Sequence, residues 1–429
     1  MNENLKTIEK RTLVEIAVEQ RTFLESLPLS ISREELVRVQ AHMAIPHTVV
    51  IAGIRRSGKS TLLRQIMALS KEPWYYFNFE DERLIGFSAR DFNLLYEALI
   101  ETFGERRVFF FDEIQNVAGW ERFVRRLSES GRKFYITGSN ASLLSRELGT
   151  KLTGRYVSHD LYPFSFREYL RFQGVAYSLG DILETTKRAA LKSRFNDYLR
   201  EGGMPEYLTY QSPETLKKVY DDILYRDILV RYDIREDQAL RELSFYLLSN
   251  ISQSFSYNGL KGLFRLGSMN TVRSYVGYLE NSFLFSTIRA YADSLKKQIA
   301  SPKKVYGIDT GMAQTIGFRF SENRGAFLEN VVFLELKRRG KELYYYRAAD
   351  GCEADFLVRE DNKVASVLQV SWSITEEKTR ERELRGLQSA LKAHGLQNGL
   401  LLTDDERDMI HSEEGTIEVK PVFEWLLEE

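Results

Sequence analysis

Gly53-Ile54-Arg55-Arg56-Ser57-Gly58-Lys59-Ser60-Thr61 matches the pattern G-x-x-x-x-G-K-[ST] at every fixed position. Its flanks supply the context that the pattern needs. His47-Thr48-Val49-Val50-Ile51-Ala52 is a short apolar run of strand type, and Leu62, Leu63, Ile66, Met67 and Leu69 recur behind the loop at helical spacing. A strand, a glycine-bent loop and a helix opening near Lys59 turn successive backbone N–H groups toward one point, together with the positive end of the helix dipole. This is an anion site of the kind that takes nucleotide phosphates. Gly53 through Thr61 would cradle them, Lys59 would reach the β- and γ-phosphates, and Ser60 would hold Mg²⁺. Arg55 and Arg56 read only as solvated charge beside the phosphates.

Outward from the loop, residues 47 to 165 alternate strand and helix, the pattern of a mostly parallel sheet covered on both faces. Trp74 to Phe79 reads as a strand, Phe92 to Ile100 as a helix, and Arg107-Val108-Phe109-Phe110-Phe111-Asp112-Glu113 as a buried strand ending in two carboxylates. Those acids arrive at the C-terminal edge of the sheet, where α/β ligands sit. Asp112 would bind Mg²⁺ directly or through water, and Glu113 would orient and activate the attacking water. The next strand, Lys133 to Thr137, ends in Gly138-Ser139-Asn140. Asn140, with Ser139 as second choice, would hydrogen-bond the γ-phosphate or the water; an ordinary polar turn is the competing reading. Tyr156 to Leu161 makes a fifth strand. Arg155 just before it, with Arg146 as the alternative, would serve as a finger contributed to a neighbouring subunit, or would simply pair with a carboxylate.

The order of these parts resembles the AAA+ class of the ASCE P-loop ATPases, with Lys59, Ser60, Asp112, Glu113 and Asn140 matching Walker A, Walker B and sensor 1. The resemblance implies the strand order 5-1-4-3-2. Thr137-Gly138-Ser139-Asn140-Ala141 with Leu152-Thr153-Gly154-Arg155 looks like the bacterial and archaeal AAA+ group that carries a C-terminal DUF4143 domain, and the likeness covers nearly the whole chain.

Composition bounds the remainder. At 429 residues two to four domains are expected, and 43% hydrophobic residues with 8 prolines indicate a globular chain. Lys+Arg at 60 against Asp+Glu at 61 leaves no overall basic charge, so contact with nucleic acid would need a local patch. A single cysteine, Cys352, excludes an intrachain disulfide and a cysteine-built metal site. The N-terminal run lacks a signal-peptide pattern and no run of about 18 apolar residues occurs, so a cytoplasmic protein without a membrane partner is expected.

Before the loop, residues 7 to 43 read as two helices. The first carries Leu13, Ile16, Ala17 and Phe23, and the second opens with a capping box from Ser32 to Glu35. After the sheet, residues 166 to 235 look helical, interrupted by Gly202-Gly203-Met204-Pro205, whose Gly-x-Pro resembles the nucleotide-contacting lid motif of STAND ATPases or is a simple interhelical turn. Residues 240 to 295 read as helix, helix, Gly turn, helix and strand, as a winged helix requires. Asn270, Thr271 and Arg273 would be its DNA-contacting residues.

From about 303 the order of elements resembles the PD-(D/E)xK nuclease fold, with Glu329, Asp355 and Gln369 at its acid positions. Its lysine position falls on Ser371, which speaks for a degenerate site and against Mg²⁺-dependent cleavage. The expected architecture is α/β: residues 1–165 as leader plus AAA+ sheet, 166–238 as helical lid, 239–298 as winged-helix unit and 303–429 as restriction-endonuclease-like domain. The expected function is hydrolysis of ATP with Mg²⁺, in a homo-oligomer, with DNA as a further partner. The alternatives are a STAND-like ATP switch that controls assembly or DNA binding, and an ATP-regulated, metal-dependent DNA nuclease.

Overall fold

The computed structural model describes residues 8–140, 155–234, 237–292, 294–318 and 323–428. Arg146 lies outside them. The chain divides into two compact units, residues 1–161 with 281–283, and residues 162–280 with 284–429.

In the first unit, helices α1 (Lys10–Ser26) and α2 (Glu35–Ala41) precede β1 (Thr48–Ala52), α3 (Lys59–Leu69), β2 (Trp74–Asn78), α4 (Phe92–Phe103), β3 (Val108–Asp112), α5 (Trp120–Glu129), β4 (Lys133–Gly138) and β5 (Tyr156–Asp160). The strands form one all-parallel sheet in the order β2-β3-β4-β1-β5, which is the expected 5-1-4-3-2 read from the other edge. Alternate residues along each strand feed opposite faces. Val50, Phe77, Phe109, Phe111 and Phe134 pack with Leu13, Leu95 and Phe123 of α1, α4 and α5. Val49, Ile51, Tyr76, Phe110 and Tyr135 pack with Val39, Leu62 and Ile66 of α2 and α3. Because both faces are covered, β1 and β3 are buried along their whole length, and their sequences are unbroken apolar runs up to the functional ends.

Two expectations for the leader fail. Phe23 is exposed while its neighbour Leu24 is buried, because the inward stripe of α1 runs through Leu13, Ile16, Ala17 and Leu24. The capping box at Ser32 does not form. Helix α2 begins later, and the Glu35 carboxylate instead accepts from His159 Nδ1 at 2.7 Å, with Arg38 beside it.

The second unit begins with α6 (Phe166–Phe172), α7 (Thr185–Glu201), α8 (Pro205–Tyr210) and α9 (Pro213–Asp222), the last continued by a π-helical stretch, Ile223–Val230. Then come α10 (Gln238–Ser249), β6 (Ser254–Phe255), α11 (Tyr257–Leu263), α12 (Met269–Asn281), β7 (Phe285–Ala290), α13 (Leu295–Ala300) and β8 (Lys303–Gly307). After these run α14 (Thr310–Ile316), α15 (Arg324–Arg338), β9 (Glu342–Arg347), β10 (Glu353–Glu360), β11 (Lys363–Val370), α16 (Glu377–His394), β12 (Asn398–Thr403), β13 (Asp408–Ser412), β14 (Gly415–Pro421) and α17 (Val422–Leu427). Strands β6 to β14 form one mixed sheet, β13-β14-β12-β11-β10-β9-β7-β8-β6. Its continuity passes through the parallel pairing of Arg289 and Ala290 in β7 with Tyr344 and Tyr345 in β9. Helix α16 covers the β10–β12 region with Leu387, Ala390 and Leu391.

The Gly202-Gly203-Met204-Pro205 turn is locked inside this unit. A Cβ on Gly203 would stand 2.3 Å from the Phe164 carbonyl oxygen, so only glycine fits. The Gly203 N–H donates to Asp309 Oδ2 at 2.6 Å, while Asp309 Oδ1 accepts from Met312 N at 2.8 Å and caps α14. Burial pushes the Asp309 carboxyl up to about 6. No helix among the described residues is long and apolar enough to cross a membrane.

Candidate functional site

The loop between β1 and α3 takes its shape from steric and electrostatic constraints that can be named. A Cβ on Gly53 would lie 2.3 Å from the Leu161 carbonyl oxygen, and Gly58 has φ 94°, so both glycines are required. Lys59 is buried at 4% exposure and folds back on the loop. Its Nζ donates to the carbonyls of Gly53 and Ile54 at 3.2 and 3.1 Å and lies 3.4 Å from Glu113 Oε1. Ile54 and Ser57 are buried, whereas Ser60 is exposed and Thr61 half-buried at the start of α3. The Ser57 hydroxyl is a buried oxygen with no hydrogen-bond partner among the described residues.

Arg55, unexplained by the sequence, pairs with Glu80 at 2.6 Å and so ties the loop to the segment after β2. Arg56 occupies the left-handed region at φ 63°.

The acid end of β3 lies across from the loop, and it is wired to β4. Thr137 donates its hydroxyl proton to Asp112 Oδ1 and accepts from the Glu113 backbone N–H at 2.9 Å. Tyr76 donates to Asp112 Oδ2 at 3.2 Å. Burial and the neighbouring Glu113 charge push the Asp112 carboxyl above its ordinary value, opposed by the nearby Ser60 hydroxyl and the Thr137 hydrogen bond.

Glu113 follows the opposite course. Burial works to raise it, but the Lys59 charge, the Gln115 hydrogen bond and Arg55 together hold it below the usual carboxylate value. Its backbone sits in the left-handed region at φ 50°. The Gln115 carboxamide donates both to Glu113 Oε2 and, at 3.2 Å, to Ser139 Oγ, which links the end of β3 to the end of β4. Asn140 is fully buried one residue further on. Lys59, Ser60, Asp112, Glu113, Ser139 and Asn140 thus share the C-terminal edge of three adjacent strands.

Five contributors escaped the sequence reading. Arg33, in the leader given no chemistry, is 3% exposed and donates from Nη1 to the Ser57 carbonyl at 2.7 Å. Gln65 of α3 accepts from the Arg33 N–H and donates to the Ile31 carbonyl, stapling the leader to the loop helix. Thr137, Gln115 and Tyr76 act through contacts that no spacing rule encodes; only the position of Thr137 at a strand end beside the acids was a usable signal. Arg155 is exposed and lies 3.8 Å from Glu129.

In the second unit, Glu329 on α15, Asp355 on β10 and Gln369 on β11 are brought together and buried. Gln369 accepts from the Asp355 N–H at 3.0 Å and donates to Glu383. Ser371 is buried at the end of β11 and bonds to the Ser373 carbonyl. A lysine nevertheless stands among the acids. It is Lys304, from β8. Burial pushes the Glu329 carboxyl up to about 8, with Asp355 adding to the effect. On α12, Asn270 and Arg273 are exposed, while Thr271 donates its N–H to Ser268 Oγ.

Residues 46–170 match the profile of an AAA domain, residues 192–322 that of a domain of unknown function, DUF8612, and residues 324–423 that of DUF4143. The uncharacterized protein MJ1544 of Methanocaldococcus jannaschii is 33% identical over 439 residues, covering 98% of this chain and 96% of its own. An uncharacterized protein of Haemophilus influenzae is 31% identical over 394 residues, covering 88% and 94%. Among solved structures, the Walker-type ATPase paby2304 of Pyrococcus abyssi aligns with 67% of this chain and 96% of its own at 16% identity and a TM-score of 0.40. The chain belongs to the family of MJ1544, with an AAA domain toward its N-terminus and a DUF4143 domain toward its C-terminus.

Proposed function

We propose that the protein is a Mg²⁺-dependent ATPase that works at the C-terminal edge of the parallel sheet. The observation that carries this reading is the meeting of Lys59, Ser60, Asp112 and Glu113 around a loop built for phosphates. The donor set fits the ligand. A hydroxyl and a carboxylate suited to Mg²⁺ stand near each other at Ser60 and Asp112, and the buried Ser57 hydroxyl is left for a ligand oxygen. Bound Mg²⁺ would neutralise charge on the phosphate oxygens.

The residues of the chain do the remaining work. Backbone N–H groups from Gly53 to Thr61 bind phosphate oxygens, and Lys59 exchanges the Gly53 and Ile54 carbonyls for them. Glu113, held ionised, takes the proton of the attacking water, with Gln115 and Ser139 fixing its direction and Asn140 contacting the γ-phosphate or the water. Arg155, with its side chain 62% exposed and a long surface pairing to Glu129 at 3.8 Å, supplies a finger to the site of a neighbouring copy, with Arg146 as the alternative. The working form is then a homo-oligomer in the cytoplasm.

Phosphate release from ATP tests this. Lys59→Ala should abolish nucleotide binding and release, and turnover per chain should rise with protein concentration and collapse in Arg155→Ala. Wild-type release by Lys59→Ala contradicts the site, and a rate independent of concentration contradicts its sharing.

A second reading makes nucleotide state a switch for DNA affinity, and one observation favours it. Residues 251–304 hold eight Lys or Arg against two acids in a chain of net charge -1. The order of α10, β6, α11, α12, β7 and β8, with β8 between β6 and β7, supports reading this segment as a winged helix. The Tyr257 ring at the start of α11 is bracketed by Arg273 at 5.5 Å and Lys303 at 5.1 Å. Asn270 and Arg273 would meet the duplex from this face. ATP-dependent change in the affinity for duplex DNA, weakened by Arg273→Ala, is the expected result; affinity blind to ATP counts against the switch.

A further inference from the structure

The C-terminal acids lack the lysine that spacing predicts, and the fold delivers one from another strand. Lys304 Nζ lies 2.7 Å from Asp355 Oδ1, 2.8 Å from Glu353 Oε1 and 3.2 Å from Glu329 Oε1. The ammonium donates to Asp355 and to Glu329 and is ion-paired with Glu353, so its charge is met by three carboxylates. The other groups are engaged as well. Asp355 Oδ2 accepts from Val370 N at 2.9 Å, and the Tyr306 hydroxyl donates to Glu329 Oε1 at 2.7 Å. Lys304, Glu329, Asp355 and Gln369 contribute no buried side-chain polar atom without a partner.

Burial opposes the Lys304 charge, but Asp355 and Glu329 outweigh it and hold the ammonium well above the ordinary lysine pKa. Each partner explains the other: a lysine at 4% exposure needs anions, and buried carboxylates need a cation. A phosphodiester-cutting site makes different demands, since its acids must present a hydrated metal to a bulky substrate. Here Glu329 and Asp355 are 9% and 6% exposed, and their shared centre already holds a positive charge.

We propose that Lys304 is the resident cation of this site, standing where a divalent metal would stand, so that the C-terminal unit keeps its acids together without metal. Removing the ammonium would turn Glu329, Glu353 and Asp355 into a divalent-cation site. The oxygens now sit 2.7 to 3.2 Å from the central Nζ. They must close to about 2.3–2.6 Å for Ca²⁺ and to about 2.0–2.1 Å for Mg²⁺. Ca²⁺ asks for the smaller movement, and Glu353, with its side chain 30% exposed, has room to make it.

The test compares melting of the full chain, without nucleotide, in EDTA and in millimolar CaCl₂. The wild type should melt alike in both. Lys304→Met should melt lower in EDTA and rise by several degrees with CaCl₂, and adding Asp355→Asn to it should erase that rise. A folded Lys304→Met protein indifferent to CaCl₂ overturns the proposal. Should Lys304→Met fail to fold, Mn²⁺ electron paramagnetic resonance on the wild type decides. Bound Mn²⁺ that Asp355→Asn removes overturns the proposal, and the absence of such a signal supports it.

Discussion

Thr137→Val replaces a hydroxyl by a methyl of nearly the same shape at a fully buried position, and it should damage the N-terminal unit in two measurable ways. The hydroxyl donates to Asp112 and accepts from the Glu113 N–H. Orphaning that N–H costs about 1–3 kcal/mol, and losing a hydrogen bond to a carboxylate costs about 1.5–3 kcal/mol. Valine leaves no cavity, so with partial relaxation the net loss is about 3 kcal/mol, or roughly 6–12 °C in melting for a domain of this size. The second effect is chemical. Asp112 is already raised by burial and by Glu113, and the Thr137 hydrogen bond opposes that rise. Without it the carboxyl rises further, fewer molecules present the anion, and half-saturation with Mg²⁺ moves to higher concentration, more so at lower pH. Thermal melting and Mg²⁺ titration of phosphate release read the two effects, with Thr137→Ser as the control that retains the hydroxyl. A Thr137→Val protein that melts with the wild type and needs no more Mg²⁺ would refute the reasoning.

Gln115→Leu removes a donor that favours the Glu113 carboxylate, so the Glu113 pKa should rise and the acid limb of the kcat–pH profile should move to higher pH; an unmoved limb would show that Gln115 does not act on the base. Asp309 is raised by burial from 3.8 to about 6. Its protonated form stabilises the fold fully below the unfolded value, and that contribution fades as pH rises through about 6. The wild type should therefore lose about 2 kcal/mol relative to Asp309→Asn between pH 4 and 6 in chemical denaturation. A constant difference between the two proteins over this range contradicts the prediction.

What was legible in the sequence was whatever is local. The loop, the acid end of β3 and the polar end of β4 follow from contiguous runs, the strand order came only from the family resemblance, and the apolar runs of β1 and β3 identify strands buried on both faces. The contacts that tune the site join distant segments and leave no periodic trace. Arg33 reaches the loop from a leader that reads as packing helix alone. Gln115 and Thr137 look like ordinary polar residues until the register of β3 on β4 sets them around Glu113. Lys304 was invisible for a clearer reason. The nuclease pattern seeks its lysine two residues beyond Gln369, whereas this one comes from a strand 51 positions before Asp355 and meets it only through the fold of the mixed sheet. The capping box failed similarly, since the pattern could not register that His159 would claim Glu35.

The most direct test of the central claim is ATP binding and ATP turnover measured side by side on Glu113→Gln. The substitution keeps the size of the side chain and one accepting oxygen and removes its ability to take a proton, while Lys59, Ser60 and Asp112 remain. The protein should bind ATP with Mg²⁺ at least as well as the wild type and release phosphate at a rate lower by about 10²–10⁴-fold. Turnover at the wild-type rate would contradict the account.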